Sequence, residues 1–241
     1  MFRQIELVDH ILKEMEITGI LPDIMIVGSW CLYFYQYHYK DSDLPPLRTT
    51  DIDIDVNSLR KAKIRFNIGG ILEKYDFRMD FHGDGSTSFI HADLKIEFLV
   101  PEIGRPSHEP VKIHGFGITA QPLRWLDLLE KEVIIVDYKG MQVKVPHPAR
   151  FAVHKLIISQ RRSGRNPKIE KDIVQGLQVI RMLVELGWVE KITGIVNILS
   201  RKQKKLIKQA LQGSNVEELT GLTIAELEKI FQCRISAQTL K

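Results

Sequence analysis

At 241 residues the chain is long enough for a well-buried core and for a second, smaller domain beside the first. With 44% hydrophobic and 27% charged residues it has the balance of an ordinary soluble globular protein, and no apolar run reaches membrane-spanning length. The net charge of +4 fits a phosphate-bearing partner without requiring one, and two distant cysteines, Cys31 and Cys233, make neither a zinc pattern nor a disulfide framework. With charges throughout Met1 to Ile20 and no signal peptide there, the expected location is a reducing cytoplasm.

Ile5, Val8, Ile11, Leu12 and Met15 recur at helical spacing, which predicts an amphipathic helix over residues 2–17, ended by Gly19 and Pro22. Asp23 to Val27 predicts a short buried strand. It runs into Gly28-Ser29 and then a helix from Trp30 to Tyr39. A strand, a glycine turn and a helix start together suit a phosphate: glycine lets the backbone approach closely, Ser29 can cap the helix, and the helix N-terminus offers unpaired N–H groups. An ordinary strand–helix corner has the same pattern. Trp30 and Tyr33 are expected in the core rather than on a base.

After a Pro-bearing loop comes Arg48-Thr49-Thr50-Asp51-Ile52-Asp53-Ile54-Asp55-Val56. Strict alternation is the period-2 signature of a strand and puts Asp51, Asp53 and Asp55 on one face, with Ile52, Ile54 and Val56 on the other. Three carboxylates in a row repel one another unless water or a cation compensates them. Asp51 and Asp53 lie about 6.6 Å apart along such a strand, close enough to converge on one or two hard cations. A solvated edge strand that uses its charge against aggregation is the competing reading.

Asn57 is expected to cap a helix running to about Tyr75, broken at Gly69-Gly70. Phe77 to Phe81 and Ser86 to Ile90 read as a hairpin turning at Gly83-Asp84-Gly85. A second acidic strand follows over Asp93 to Pro101, with Leu94, Ile96 and Phe98 inward and Asp93, Lys95 and Glu97 on the other face. It is placed to lie beside the first acidic strand and supply a third carboxylate. Residues 104–117 read as loop, with Pro106 and Pro110, and Leu123 to Lys131 as helix. Val133 to Asp137 and Met141 to Val145 read as a hairpin. From Pro148 the pattern is helical: a first helix with Phe151, His154, Lys155 and Ile158, a long one over Lys168 to Leu186, then Val189 to Leu199, Lys202 to Leu211 and Ile224 to Phe231. The expected division is an α/β domain over 1–146 and a helical domain over 147–241. His147 and His154 have no acid partner in view and are expected to be structural.

The set formed by Gly28-Ser29, a helix, Thr49-Thr50-Asp51-Ile52-Asp53 and a lone acid on a later strand resembles the nucleotidyltransferase superfamily, the polymerase-β-like fold. The likeness covers roughly residues 23–180. It leans toward the bacterial antitoxin-like branch with a helical C-terminal half, on His154-Lys155-Leu156, Arg161-Arg162, Lys168 and Lys171-Asp172. The resemblance implies an α/β (α+β) fold with a mixed-sheet core and a helical subdomain. It implies Mg²⁺-dependent transfer of a nucleoside monophosphate from a nucleoside triphosphate to a hydroxyl on a protein or tRNA. Asp51 and Asp53 would hold two Mg²⁺ ions and Glu97 would be the third acid. Gly28 and Ser29 would bind the β- and γ-phosphates. Lys155 would reach the triphosphate, unless it is part of a basic, solvated helix end.

Two points of register stay open. Asp93 shares a face with Glu97 and would serve as third acid, and Asp53 with Asp55 also satisfies the acid pattern. Thr49 before Asp51 favours the first pair, leaving Asp55 as a solvated neighbour at the strand's end. The basic tracts Arg161 to Arg165 and Arg201 to Lys208 suit tRNA phosphates, though no aromatic residues are interleaved for stacking. The rival reading is a nucleotide-binding or toxin-neutralising protein with weak or lost catalysis.

Overall fold

The computed structural model describes residues 2–40, 42–47, 49–61, 66–104, 109–162, 166–212 and 215–235. Arg48, Pro106 and residues 163–165 of the basic tract lie outside them. The chain forms two compact units, Met1–Asp41 with Pro45–Pro146, and Ser42–Leu44 with His147–Lys241.

In the first unit, helix α1 (Phe2–Ile17) leads through a short 3-10 turn to strand β1 (Met25–Val27) and helix α2 (Trp30–His38). The acidic stretch is strand β2 (Asp51–Asp55). A 3-10 turn at Asn57–Lys61 follows, then helix α3 (Ile68–Glu73), the hairpin β3 (Arg78–Phe81) and β4 (Thr87–Ile90), and strand β5 (Lys95–Glu102). Strands β6 (Val111–Ile113) and β7 (Ile118–Arg124), helix α4 (Asp127–Glu130), and the hairpin β8 (Val133–Tyr138) and β9 (Met141–Pro146) complete it.

The sheet is mixed, in the order β1-β2-β5-β4-β3. β2 runs parallel to β5 and antiparallel to β1. On its other side β5 is flanked first by β4, antiparallel along Lys95–Glu97, and then by β7, parallel along Leu99–Glu102. One face of β2, β5 and β4 is apolar: Ile52, Ile54, Ile96, Phe98 and Phe89 are all buried. Each such side chain contributes about 1.5–3 kcal/mol on burial, which is what sets the register of the acidic face opposite. The α1 face of Val8, Ile11, Leu12 and Met15 is buried as its spacing predicts. Asp9 pins that helix to the β8–β9 hairpin, accepting from Tyr138 Oη at 2.6 Å and pairing with Lys139 Nζ at 2.5 Å.

Four expectations are corrected here. The helix expected from Asn57 is instead a 3-10 turn followed by α3, and Gly69-Gly70 lies inside α3 rather than breaking it. Asn67 caps this helix by accepting from Gly70 N at 2.9 Å. Part of the 104–117 loop is β6, and the start of the helix expected over Leu123 to Lys131 belongs to β7. Pro122 hid that strand, since proline is rare within sheets. Finally, Asp55 is not a solvated neighbour: it is 4% exposed. Burial, reinforced by the charge and hydrogen bond of Glu130, pushes its carboxyl up to about 8, against the opposing bond from Asn57 N and the charge of Lys144.

The second unit is helical: α5 (Pro148–Ser159), α6 (Pro167–Glu185), α7 (Val189–Asn197), α8 (Arg201–Gln212), α9 (Val216–Thr220) and α10 (Ile224–Phe231). Gly176 lets α6 close on α5; a Cβ there would lie 3.2 Å from the Ala152 carbonyl oxygen and 3.3 Å from Lys155 Cβ. Across that contact Lys155 Nζ pairs with Asp172 Oδ1 at 2.7 Å, and Arg162 Nε with Asp172 Oδ2 at 2.8 Å. Burial alone would raise the Asp172 carboxyl, but the two cations outweigh it and hold it below its ordinary value. His147 caps α5, its Nδ1 accepting from Ala149 N at 3.2 Å. Among the described residues no helix is long and apolar enough to cross a membrane.

His154 is buried, and its Nε2 has no hydrogen-bond partner. Burial first, then the neighbouring Lys155 and Arg162 charges against Asp172, lower its pKa from 6.5 to about 3. A folded pKa below the unfolded one leaves stability intact above pH 6.5 and erodes it as pH falls toward about 3. Urea melts are therefore expected to show a loss from this group of about 2 kcal/mol by pH 5. His154→Leu is expected to flatten that part of the profile while costing little at pH 8. The second substitution to melt is Asp172→Ala, which strands Lys155 and is expected to cost about 3–5 kcal/mol.

Candidate functional site

The acidic face is assembled by strand pairing. Residues directly opposite on neighbouring strands present their side chains to the same face. β2 and β5 set Asp53 opposite Glu97 and Asp51 opposite Lys95. β4 sets Ser88 opposite Glu97, and β3 sets Asp80 opposite Ser88. One row across the sheet therefore reads Val27, Asp53, Glu97, Ser88 and Asp80, with Asp51 and Lys95 in the next row. Asp51, Asp53 and Glu97 are half-buried, which leaves them within reach of a ligand.

Gly28 closes the row from the β1 side. Its φ of +68° is a left-handed value, and a Cβ on it would overlap Asp53 Oδ2 and come within 2.9 Å of Asp53 Cγ. The glycine is thus required twice, for its backbone angle and for the carboxylate standing against it. Ser29 is buried and starts α2 with a helical backbone. Its side chain makes no capping bond to the helix, contrary to the expectation. Trp30 is buried beneath this corner, and Tyr33 Oη bonds Tyr138 Oη at 2.9 Å, so both belong to the core side.

The structure thus brings together Gly28, Asp53 and Glu97, with Asp51 one step along the strand. Asp93 lies before β5, where Gln4 Nε2 donates to its carbonyl at 2.8 Å and His91 stands 3.8 Å from its carboxylate. Lys155 belongs to the second unit, where Asp172 holds it.

Lys95, Ser88 and Asp80 went unassigned in the sequence reading, although Lys95 was visible on the acidic side of its strand. Lys95 Nζ pairs with Glu97 Oε1 at 2.6 Å. Partial burial works against the charge of Lys95, but Glu97, then Asp51 and Asp80, outweigh it and hold its pKa above the ordinary lysine value. Ser88 Oγ is 3.0 Å from His82 Nε2. Farther along the sheet face, Asp55, Glu130, Asp23 and Lys144 line a cavity of about 270 Å³.

Among the described residues no three carboxylate, imidazole or thiolate side chains are already gathered as a metal cage. Asp51, Asp53 and Glu97 do fit Mg²⁺, a hard ion that takes one or two carboxylates and completes its shell with water and phosphate oxygens.

A family model described as "Nucleotidyltransferase" matches residues 6–191, without distinguishing an antitoxin-like branch. Two solved structures are similar at low identity. One is the crystal structure of an antigenic nucleotidyltransferase-like protein from Paracoccidioides brasiliensis, with 12% identity, 95% of each chain covered and a TM-score of 0.45. The other is the solution structure of the antibiotic-resistance factor ANT(2'')-Ia, with 13% identity, 80% of this chain and 89% of that one covered, and a TM-score of 0.43. No curated protein matches the chain.

The Gly28 geometry has a measurable consequence. Gly28→Ala is expected to lower stability by about 1–3 kcal/mol, from backbone strain and the collision with Asp53. Adding Asp53→Ala should recover the collision part and leave the strain. Additive losses in urea melts of the single and double variants would contradict the close approach.

Proposed function

The chain belongs to the nucleotidyltransferase family, and from that premise we propose that it moves a nucleoside monophosphate from a nucleoside triphosphate to a hydroxyl on a tRNA or a protein. The observation that carries the proposal is the in-register pair Asp53 and Glu97 with Gly28 closed against Asp53. Asp51 and Asp53 would supply carboxylate oxygens to hold Mg²⁺, and Glu97 would be the third acid. Two ions bound there would lower the pKa of the acceptor hydroxyl and clamp attacking and leaving oxygens in line. The Gly28-Ser29 corner, with no Cβ in the way, receives the β- and γ-phosphates at the start of α2. The acceptor oxygen forms its bond to the α-phosphorus, the bond to the β-phosphate oxygen breaks, and pyrophosphate leaves with that electron pair. The acceptor's proton passes to solvent.

Of the two acceptor classes tRNA has the firmer support. α8 carries Arg201, Lys202, Lys204, Lys205 and Lys208 and no acid. Like charges at helical spacings of three and four destabilise a helix, and a phosphate backbone laid on it removes that cost.

The test uses each NTP labelled on the α-phosphate with Mg²⁺, mixed tRNA and cell lysate. Label is expected on RNA, and Asp53→Asn is expected to reduce it by about 10³-fold. Label on a protein band would move the acceptor to protein. NTP binding in calorimetry without any transfer would instead support a nucleotide-binding or toxin-neutralising role.

A further inference from the structure

Lys95 stands in the middle of the acid set. It lies two residues before Glu97 on β5 and therefore shares its face, and the β2–β5 register puts it opposite Asp51. Its ammonium is 2.6 Å from Glu97 Oε1 and is also drawn by Asp51 and Asp80. A carboxylate oxygen engaged this closely by an ammonium is a poor ligand for a second cation, because the two positive charges would stand within a few ångströms of each other. Lysine, however, is a compact charge on a flexible four-carbon stem and a common phosphate binder. With its Cα fixed by the sheet, Lys95 can exchange Glu97 for a phosphate oxygen without any backbone movement.

Resting on the nucleotidyltransferase reading above, we propose that Lys95 is a positioning residue that couples arrival of the nucleotide to cation binding at Glu97. The triphosphate draws the ammonium off Glu97, and the freed carboxylate then takes a divalent ion. Glu97 is thereby kept from loading a cation before substrate is in place. No covalent step is involved; one ion pair is exchanged for two others.

The probe is Mn²⁺, followed by electron paramagnetic resonance of the free ion. The whole chain is titrated with and without a triphosphate carrying a methylene bridge between its α- and β-phosphorus atoms. Wild-type protein is expected to bind Mn²⁺ weakly alone and about tenfold or more tightly with the analogue. Lys95→Met is expected to bind Mn²⁺ about tenfold more tightly than wild type without the analogue, so that the analogue adds little. Lys95→Arg, which keeps the cation, is expected to restore the wild-type dependence. Glu97→Gln placed in the Lys95→Met background is expected to remove the gain, locating it at Glu97. In turnover, Lys95→Met is expected to raise KM for the nucleotide more than it changes kcat.

Equal Mn²⁺ affinities in wild type and Lys95→Met without the analogue would overturn the coupling while leaving the function proposal standing. No Mn²⁺ binding by folded wild-type protein, with or without the analogue, would overturn both.

Discussion

The parallel pairing of β2 with β5 is the constraint on which the site depends. It sets Asp53 beside Glu97 and Asp51 beside Lys95 in one register. On the acidic face the carboxylates repel one another, and Lys95 is the cation that stands against that repulsion. The drive comes from the other face, where Ile52, Ile54, Ile96 and Phe98 are buried, and Phe89 and Phe98 meet edge to face with ring centroids 6.0 Å apart. A slip of one residue would turn that apolar set outward, so core packing holds the acids where electrostatics alone would not.

The charge so gathered is managed in two ways. Lys95 is a cation of the protein's own among Asp51, Glu97 and Asp80. Asp55, on the same strand face but covered, leans toward the neutral form beside Glu130. One strand therefore carries carboxylates in different environments: half-buried ones within reach of a ligand, and a buried one drawn toward protonation. Burial first, and then Glu130, set Asp55 apart, since the side chains are chemically identical.

The helical unit solves a similar problem with a full ion-pair cluster. Asp172 is buried but receives both Lys155 and Arg162, and the close α5–α6 approach that Gly176 permits keeps it covered. His154 beside it is pushed toward the neutral form because burial, with the charges of Lys155 and Arg162, outweighs Asp172. This cluster holds two helices in one arrangement, at the cost of a dependence on each partner being present.

Much of this was written in local patterns. The alternation over Asp51–Asp55 gave a strand with an acidic and an apolar face, Gly28-Ser29 marked a tight corner before a helix, and the 3.6-residue spacing after Pro148 announced the helical half. Period and turn chemistry are properties of neighbouring residues, so one sequence displays them. What covers a strand end, and which residue stands across from which, are set by segments far apart in the chain. Asp55, expected to be a solvated neighbour at the strand's end, is buried in the fold with Glu130 and Lys144 acting on its charge. Lys95 was visible only as a member of the acidic face; the β2–β5 register set it against Asp51, and it pairs with Glu97 on its own strand. β7 was hidden because its place depends on β5, not on its own weak pattern around Pro122. The sequence by itself determined which side chains share a face. Only the tertiary structure decided which faces meet, because burial and charge pairing depend on distance in space and not along the chain.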